Sequence, residues 1–318
     1  MSILSTIKLY LRLARPDHWV KNVFVLPGVV IALSVSLDSL GWPLLWRLVI
    51  GLAATCLIAS SNYVINEILD APSDRHHHVK RNRPIPSGQI KLPLAYGLWF
   101  VLMLAGMALS FLLSPGVVIG LAALWIMGLV YNVRPLRTKD IPYLDVISEA
   151  VNNPIRMVIG WYIVGVHFIP PATLLLSYWM VGCYFMAIKR FAEIRDLDNA
   201  HQAALYRRSF AHYNEPRLLV SIIFYASAAM LFFGAFLIRY RLEWILAFPL
   251  VSLVMAVYFR MAFARDGAAQ APEKLYRSRA LMATVVLCTV VMTVLLFMDI
   301  PVMYQWFAPT VPVRGMIP

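Results

Sequence analysis

Asn66, Asp70 and Asp74 recur at every fourth position in the stretch NYVINEILDAPSD, with Asn62 one step before them. On a helix this spacing advances only about 40° per step and keeps the side chains on one face. That face is a strip of oxygen ligands. Carboxylates this close repel one another unless a cation lies between them, and a hard divalent ion such as Mg²⁺ takes oxygen ligands and is completed by substrate phosphates. Arg75, Lys80, Arg81 and Arg83 follow at once and supply the positive charge that a diphosphate needs. The plainer reading is a helix end capped by Asp before a basic loop. It does not explain a polar strip rising into an apolar segment, where charge is costly and usually functional.

A second acidic segment reads KRFAEIRDLDNAHQAALYRRSFAHY, from Lys189 to Tyr213. Glu193 and Asp196 are three apart and share a helix face with Lys189, while Asp198 lies just beyond and Arg207 and Arg208 follow. Alone, this could be a solvated, salt-bridged helix. Paired with the first strip, it reads as the other half of a metal-diphosphate clamp, with Lys189 and Arg190 as candidate substrate contacts. Asp145, Glu149, Asn152 and Arg156 are spaced four, three and four, so they form one polar stripe along an otherwise apolar helix. Such groups face a cavity or each other. The stripe is either a pocket wall or a structural Glu149–Arg156 network. Tyr131, Asn132, Arg137, Lys139 and Asp140 close another span; they read equally as phosphate or co-substrate contacts and as a plain basic loop. His76, His77 and His78 are adjacent and lack a spaced Cys or His partner, which argues against zinc. His18 beside Trp19 reads as interfacial, and Lys21 is the better substrate candidate.

These residues must be held by membrane helices. The chain of 318 residues is 61% hydrophobic and 14% charged, more apolar than a soluble domain of this size requires. Apolar stretches near 22–38, 46–68, 92–113, 116–133, 143–166, 172–191, 217–239, 243–262 and 280–299 predict an all-α, polytopic membrane protein of about nine spans around a central cavity. Residues 1–21 carry Lys8, Arg12, Arg15 and Lys21 among leucines and predict an amphipathic lead-in. Residues 300–318, with Tyr304, Trp306 and Phe307, predict an interfacial tail. The whole chain, 1–318, reads as one domain, with a possible pseudo-repeat of four helices because the two acidic segments follow the second and sixth spans.

The net charge of +12 is confined to short loops and concentrates on alternate connections, the positive-inside pattern. It predicts a cytoplasmic N-terminus, an outer C-terminus and no nucleic-acid partner. Cys56, Cys183 and Cys288 all fall in apolar segments and read as packing residues rather than a disulfide framework or zinc site.

The run from Asn66 and Glu67 through Asp70 and Asp74 to KRNRPIPSG resembles the first aspartate-rich motif of the UbiA superfamily of intramembrane prenyltransferases, including Arg83, Pro84, Ser87 and Gly88. The resemblance implies that Asn66, Asp70 and Asp74 bind Mg²⁺, that Arg75, Lys80, Arg81 and Arg83 contact phosphate, and that Glu193, Asp196 and Asp198 form the second motif. Glu67 stands where the family often has Asp, and the second motif is not a clean DxxxD. The stretch RPDHWVKN, with DRHHHVKR and KRFAE…RRSFAHY, is more similar to the branch that includes decaprenyl-phosphate phosphoribosyltransferases. In that branch a polyprenyl phosphate attacks 5-phosphoribosyl diphosphate. The alternative within the superfamily moves a polyprenyl group from its diphosphate to an aromatic acceptor such as 4-hydroxybenzoate.

The partners implied are a polyprenyl phosphate or diphosphate lipid, membrane lipids and a polar co-substrate from the cytoplasm. The expected location is the bacterial inner membrane, with the site facing the cytoplasm. A transporter is the competing class, since intramembrane charges such as Glu149 and Arg156 also build ion pathways. The acids cluster at span ends instead of crossing the midplane, which disfavours it.

Overall fold

The computed structural model describes residues 3–75, 80–195, 208–264, 275, 278–308 and 310; His76 to His78, Asp196, Asp198 and Arg207 lie outside the described residues. Among the described residues all regular structure is helical, as expected. The order is α1 (Ile3–Ala14), α2 (Leu26–Val35), α3 (Trp42–Asp74), α4 (Leu92–Ser110), α5 (Pro115–Asn132), α6 (Leu144–Ala150), α7 (Asn152–Ile163), α8 (Ala172–Arg195), α9 (Glu215–Tyr240), α10 (Phe248–Met261), α11 (Arg279–Leu296) and α12 (Pro301–Trp306). Eight segments among the described residues are long and apolar enough to cross a membrane. Their outer faces leave Ile119, Val220, Leu231 and Ile238 widely exposed, a surface suited to lipid rather than water.

The predicted span 143–166 is not one of the eight, because the chain breaks at Val151 into α6 and α7. Pro154 lies just past the break. The two pieces still run the depth of the bundle beside α5. Ser148 hydroxyl shares a 2.8 Å hydrogen bond with Thr138 at one end, and Ser114 hydroxyl donates to the Tyr162 carbonyl at 3.0 Å at the other. Eight candidate spans therefore stand where nine are expected, and residues 143–166 form a broken helix that brings polar side chains into the interior.

α3 is far longer than a bilayer core requires. Its 33 residues extend about 50 Å, against about 30 Å of hydrocarbon. Its last turns, which carry Asn66, Asp70 and Asp74, therefore stand at one end of the bundle, with the C-terminal ends of α5, α8 and α10. The lead-in does more than lie on the surface. Leu9 and Leu13 of α1 pack against Val64, Ile65 and Ile68 of α3. Arg15, in a left-handed conformation at φ 52°, ends α1 and starts a 3₁₀ segment over Pro16–Val25 that holds the PDHWVKN residues.

α2 and α7 approach to backbone contact. A Cβ on Gly28 would meet the Met157 carbonyl, and one on Gly160 would meet the Val25 carbonyl. Small residues at such a crossing let helices pack without intervening side chains. Gly160→Val is expected to cost about 2 kcal/mol or more, read as a lower unfolding midpoint in detergent. Gly234→Ala, where a Cβ meets nothing within 4 Å, is expected to leave that midpoint unchanged or slightly raised.

Candidate active site

The strip on α3 is met at every step by a partner from another element. Asn62 Nδ2 donates to the Leu124 carbonyl at 2.9 Å, and Asn66 Nδ2 donates to Asn132 Oδ1 at 2.5 Å. Asp70 Oδ1 accepts from Lys139 Nζ at 2.5 Å and from Arg137 Nη2 at 3.0 Å. Asp74 Oδ2 accepts from Arg83 Nη1 at 2.5 Å. Lys139 is only 3% exposed and also reaches Asn132 Oδ1 at 2.9 Å. The loop after α5 thus serves the strip directly. Arg137 can turn back to it because its own backbone is left-handed, at φ 30°. Arg75 and Arg81 remain exposed and form no ion pair among the described residues, whereas Arg83 is brought in.

Glu67 has a different task from its neighbours. It lies about 100° off the strip, is 1% exposed, and accepts from Arg15 Nη2 at 2.8 Å and from the Ile85 backbone N–H at 3.2 Å. One carboxylate therefore ties the lead-in, α3 and the loop bearing Arg83 together. Sequence reasoning noted Glu67 only as a motif departure; an acid off the strip needs a cation of its own, and that was the available signal.

The second cluster centres on Arg190. Its Nε donates to Asp145 Oδ2 at 2.9 Å, its Nη1 to Glu193 Oε2 at 2.8 Å, and its Nη2 lies 3.5 Å from Glu149 Oε2. Lys189 Nζ lies 3.9 Å from Glu193 Oε1. Tyr131 hydroxyl donates to Glu149 Oε2 at 2.6 Å. Tyr213 hydroxyl donates to Asp145 Oδ1 at 2.5 Å and accepts from the Tyr143 N–H at 2.6 Å. Burial, followed by the Asp145 carboxylate it faces, holds the Tyr213 phenol well above its ordinary range, so the hydroxyl stays a donor. Adjacent residues at the end of α5 join the two clusters, since Tyr131 serves Glu149 and Asn132 serves Asn66. Ser209 hydroxyl also donates to Asp145 Oδ2 at 3.4 Å, and neither it nor Tyr213 has a signal in sequence beyond its place in a polar segment.

Deeper in the bundle, Arg156 Nε donates to Asn22 Oδ1 at 3.0 Å and Nη1 to the Asn152 carbonyl at 3.2 Å. Asn152 Nδ2 donates to the Glu149 carbonyl at 3.0 Å. Lys21 Nζ sits 6.0 Å from the centre of the Tyr63 ring. The stripe is thus shared between two places, with Asp145 and Glu149 at Arg190 and Arg156 below.

Among the described residues no group of three or more His, Cys, Asp or Glu side chains is close enough to hold a metal ion. The oxygen set of Asn66, Asp70 and Asp74 on one helix face still fits a hard cation, with the amide as third donor. Here Lys139, Arg137 and Arg83 supply the positive charge beside those carboxylates.

The model of the UbiA prenyltransferase family matches residues 25–285. A decaprenyl-phosphate phosphoribosyltransferase from Corynebacterium glutamicum is 30% identical over 64% of this chain and 59% of its own length, so the match spans less than two thirds of that relative. The protein of the same name from Mycolicibacterium smegmatis is 28% identical over 70% of this chain and 68% of its own. A UbiA homologue from Archaeoglobus fulgidus, solved bound to DMAPP and Mg²⁺, superposes with TM-score 0.68 at 18% identity, covering 90% of this chain and 99% of that one.

Removing one member of the buried cluster is expected to cost far more than trimming its edge. Arg190→Met strands Asp145, which has no exposed surface, and is expected to cost about 3–5 kcal/mol. Tyr213→Phe leaves Arg190 in place and is expected to cost about 1–2 kcal/mol. Chemical unfolding in detergent measures both.

Proposed function

The chain belongs to the UbiA prenyltransferase family and is an intramembrane transferase, and from that premise we propose that it transfers 5-phosphoribose from phosphoribosyl diphosphate to a polyprenyl phosphate. The observation that carries the reading is the arrangement at the end of α3, where acids and cations already alternate around one locus: Asp70 with Arg137 and Lys139, Asp74 with Arg83. A group leaving as diphosphate needs both kinds of residue. Asn66, Asp70 and Asp74, with Glu193, Asp196 and Asp198 as the second motif, would hold Mg²⁺, which when bound neutralises charge on the leaving diphosphate. Arg83, Arg137 and Lys139, with Lys80 beside them, would bind phosphate oxygens as that charge grows. The C1–O bond to diphosphate breaks while a lipid phosphate oxygen bonds to C1, so no proton transfer is required of a side chain. The site is assigned to the cytoplasmic face of a bacterial inner membrane, with the N-terminus on that side, because basic loops concentrate there.

The two branches separate in one assay. Purified protein with Mg²⁺ receives polyprenyl phosphate plus phosphoribosyl diphosphate in one tube, and polyprenyl diphosphate plus 4-hydroxybenzoate in another. A phosphoribosylated lipid and free diphosphate are expected in the first; a product in the second alone overturns the ribosyl reading. Chelation of Mg²⁺ is expected to abolish turnover.

Asp74→Asn is expected to lower turnover by about 100-fold or more while the protein folds, because Arg83 keeps exposed surface. Asp70→Asn has a second effect, since it removes the carboxylate 2.5 Å from the buried Lys139 ammonium. Asp70→Asn with Lys139→Met is therefore expected to recover stability lost in the single mutant but not turnover.

A further inference from the structure

Among the described residues the other two fully buried cations each meet a carboxylate, Lys139 with Asp70 and Arg190 with three acids, and the partly buried Arg15 has Glu67. Arg156 does not. It is 8% exposed, makes no ion pair among the described residues, and donates only to the amide oxygen of Asn22 and the backbone carbonyl of Asn152. Glu149 lies within electrostatic range, but its carboxylate is already engaged by Tyr131 and Arg190. A buried guanidinium held only by neutral acceptors is an expensive arrangement in a membrane interior, and it becomes favourable when an anion arrives.

The surroundings match that need. Tyr178 hydroxyl is buried with no hydrogen-bond partner among the described residues, and Tyr63 and Tyr178 both lie within electrostatic range of Arg156. Lys21 stands over Tyr63. The Arg156 guanidinium, the Tyr63 and Tyr178 hydroxyls and Lys21 over Tyr63 present donors and positive charge, while Glu149, the acid in range, is engaged by Tyr131 and Arg190; such a set suits a compact, multiply charged oxyanion. Along α3, Tyr63 lies two turns below Asp70, about 10 Å, a separation that a sugar ring and its two substituents can bridge.

We propose that Arg156, held in place by the Asn22 amide oxygen and the Asn152 carbonyl, forms with Lys21, Tyr63 and Tyr178 a second anion subsite that recognises a phosphomonoester while the diphosphate occupies the strip above. The proposal rests on the transferase reading and deepens it. A phosphomonoester has two sources in that reaction, the 5-phosphate of the ribosyl donor and the headgroup of the polyprenyl acceptor.

Binding to the detergent-purified full chain tests this with three probes: inorganic diphosphate with Mg²⁺, ribose 5-phosphate, and farnesyl phosphate. Wild-type protein is expected to bind one of the two phosphomonoesters, and which one identifies the source. Arg156→Gln is expected to weaken that phosphomonoester about 10- to 100-fold, with Arg156→Lys between, while diphosphate binding stays within about twofold. Equal affinity in wild type and Arg156→Gln, or no phosphomonoester binding by wild type, overturns the subsite. Loss of Mg²⁺-diphosphate binding in the wild type overturns the transferase reading instead, and the phosphomonoester result is read separately. Should Arg156→Gln fail to fold, Tyr178→Phe removes a hydroxyl that has no partner in the fold. It is expected to weaken the phosphomonoester severalfold, and unchanged affinity there also overturns the proposal.

Discussion

The contact between Asp145 and Arg190 sets the terms for the rest of the site. Both are almost wholly buried, so neither ion is tolerable without the other, and each then dictates where its remaining partners stand. Arg190 brings α8 against α6 through Asp145 and Glu149, and Asp145 draws in Tyr213 from the segment that precedes α9. Tyr131 adds α5 through Glu149. Such pairs give little net stability, because desolvation offsets most of the attraction, but they fix orientation to within a hydrogen bond. A transferase that must hold two charged groups in line gains more from fixed orientation than from stability.

The strip on α3 follows the same logic with less deeply buried pairs. Each acid has a basic counterpart contributed by a loop instead of a helix, Lys139 and Arg137 from one side and Arg83 from the other. On the proposed reading, Asp70 and Asp74 would hold the metal that accompanies diphosphate, and Lys139, Arg137 and Arg83 would bind the phosphate oxygens close by. The local charge stays nearly balanced throughout, which matters in a medium that screens poorly.

Much of this was legible in the chain itself. Four-residue spacing put Asn66, Asp70 and Asp74 on one face, and they are on one face; long apolar runs gave the helices and their order. The stripe from Asp145 to Arg156 was visible as a stripe, but its division into a buried ion-pair cluster above and an arginine with neutral partners below was not. That division depends on the break at Val151 and on residues far away in sequence, Asn22 and Arg190. The role of Glu67 was hidden for a related reason: periodicity tells which face a side chain occupies, but not that Arg15, held left-handed, will be waiting there. Asp196 and Asp198 lie outside the described residues, so of the second acidic motif only Glu193 has a described position, beside Lys189 and Arg190.

The broken pass α6–α7 also bears on how the protein is made. Its short length carries Asp145, Glu149, Asn152 and Arg156, and each charge at the centre of a bilayer costs about 2.5–3.5 kcal/mol on an insertion scale. Released alone from a translocon, such a segment does not partition into lipid. It becomes a membrane element only beside α5, which precedes it, and α8, which follows it and carries Arg190. The place of this segment therefore depends on elements made both before and after it, Tyr131 of α5 and Arg190 of α8.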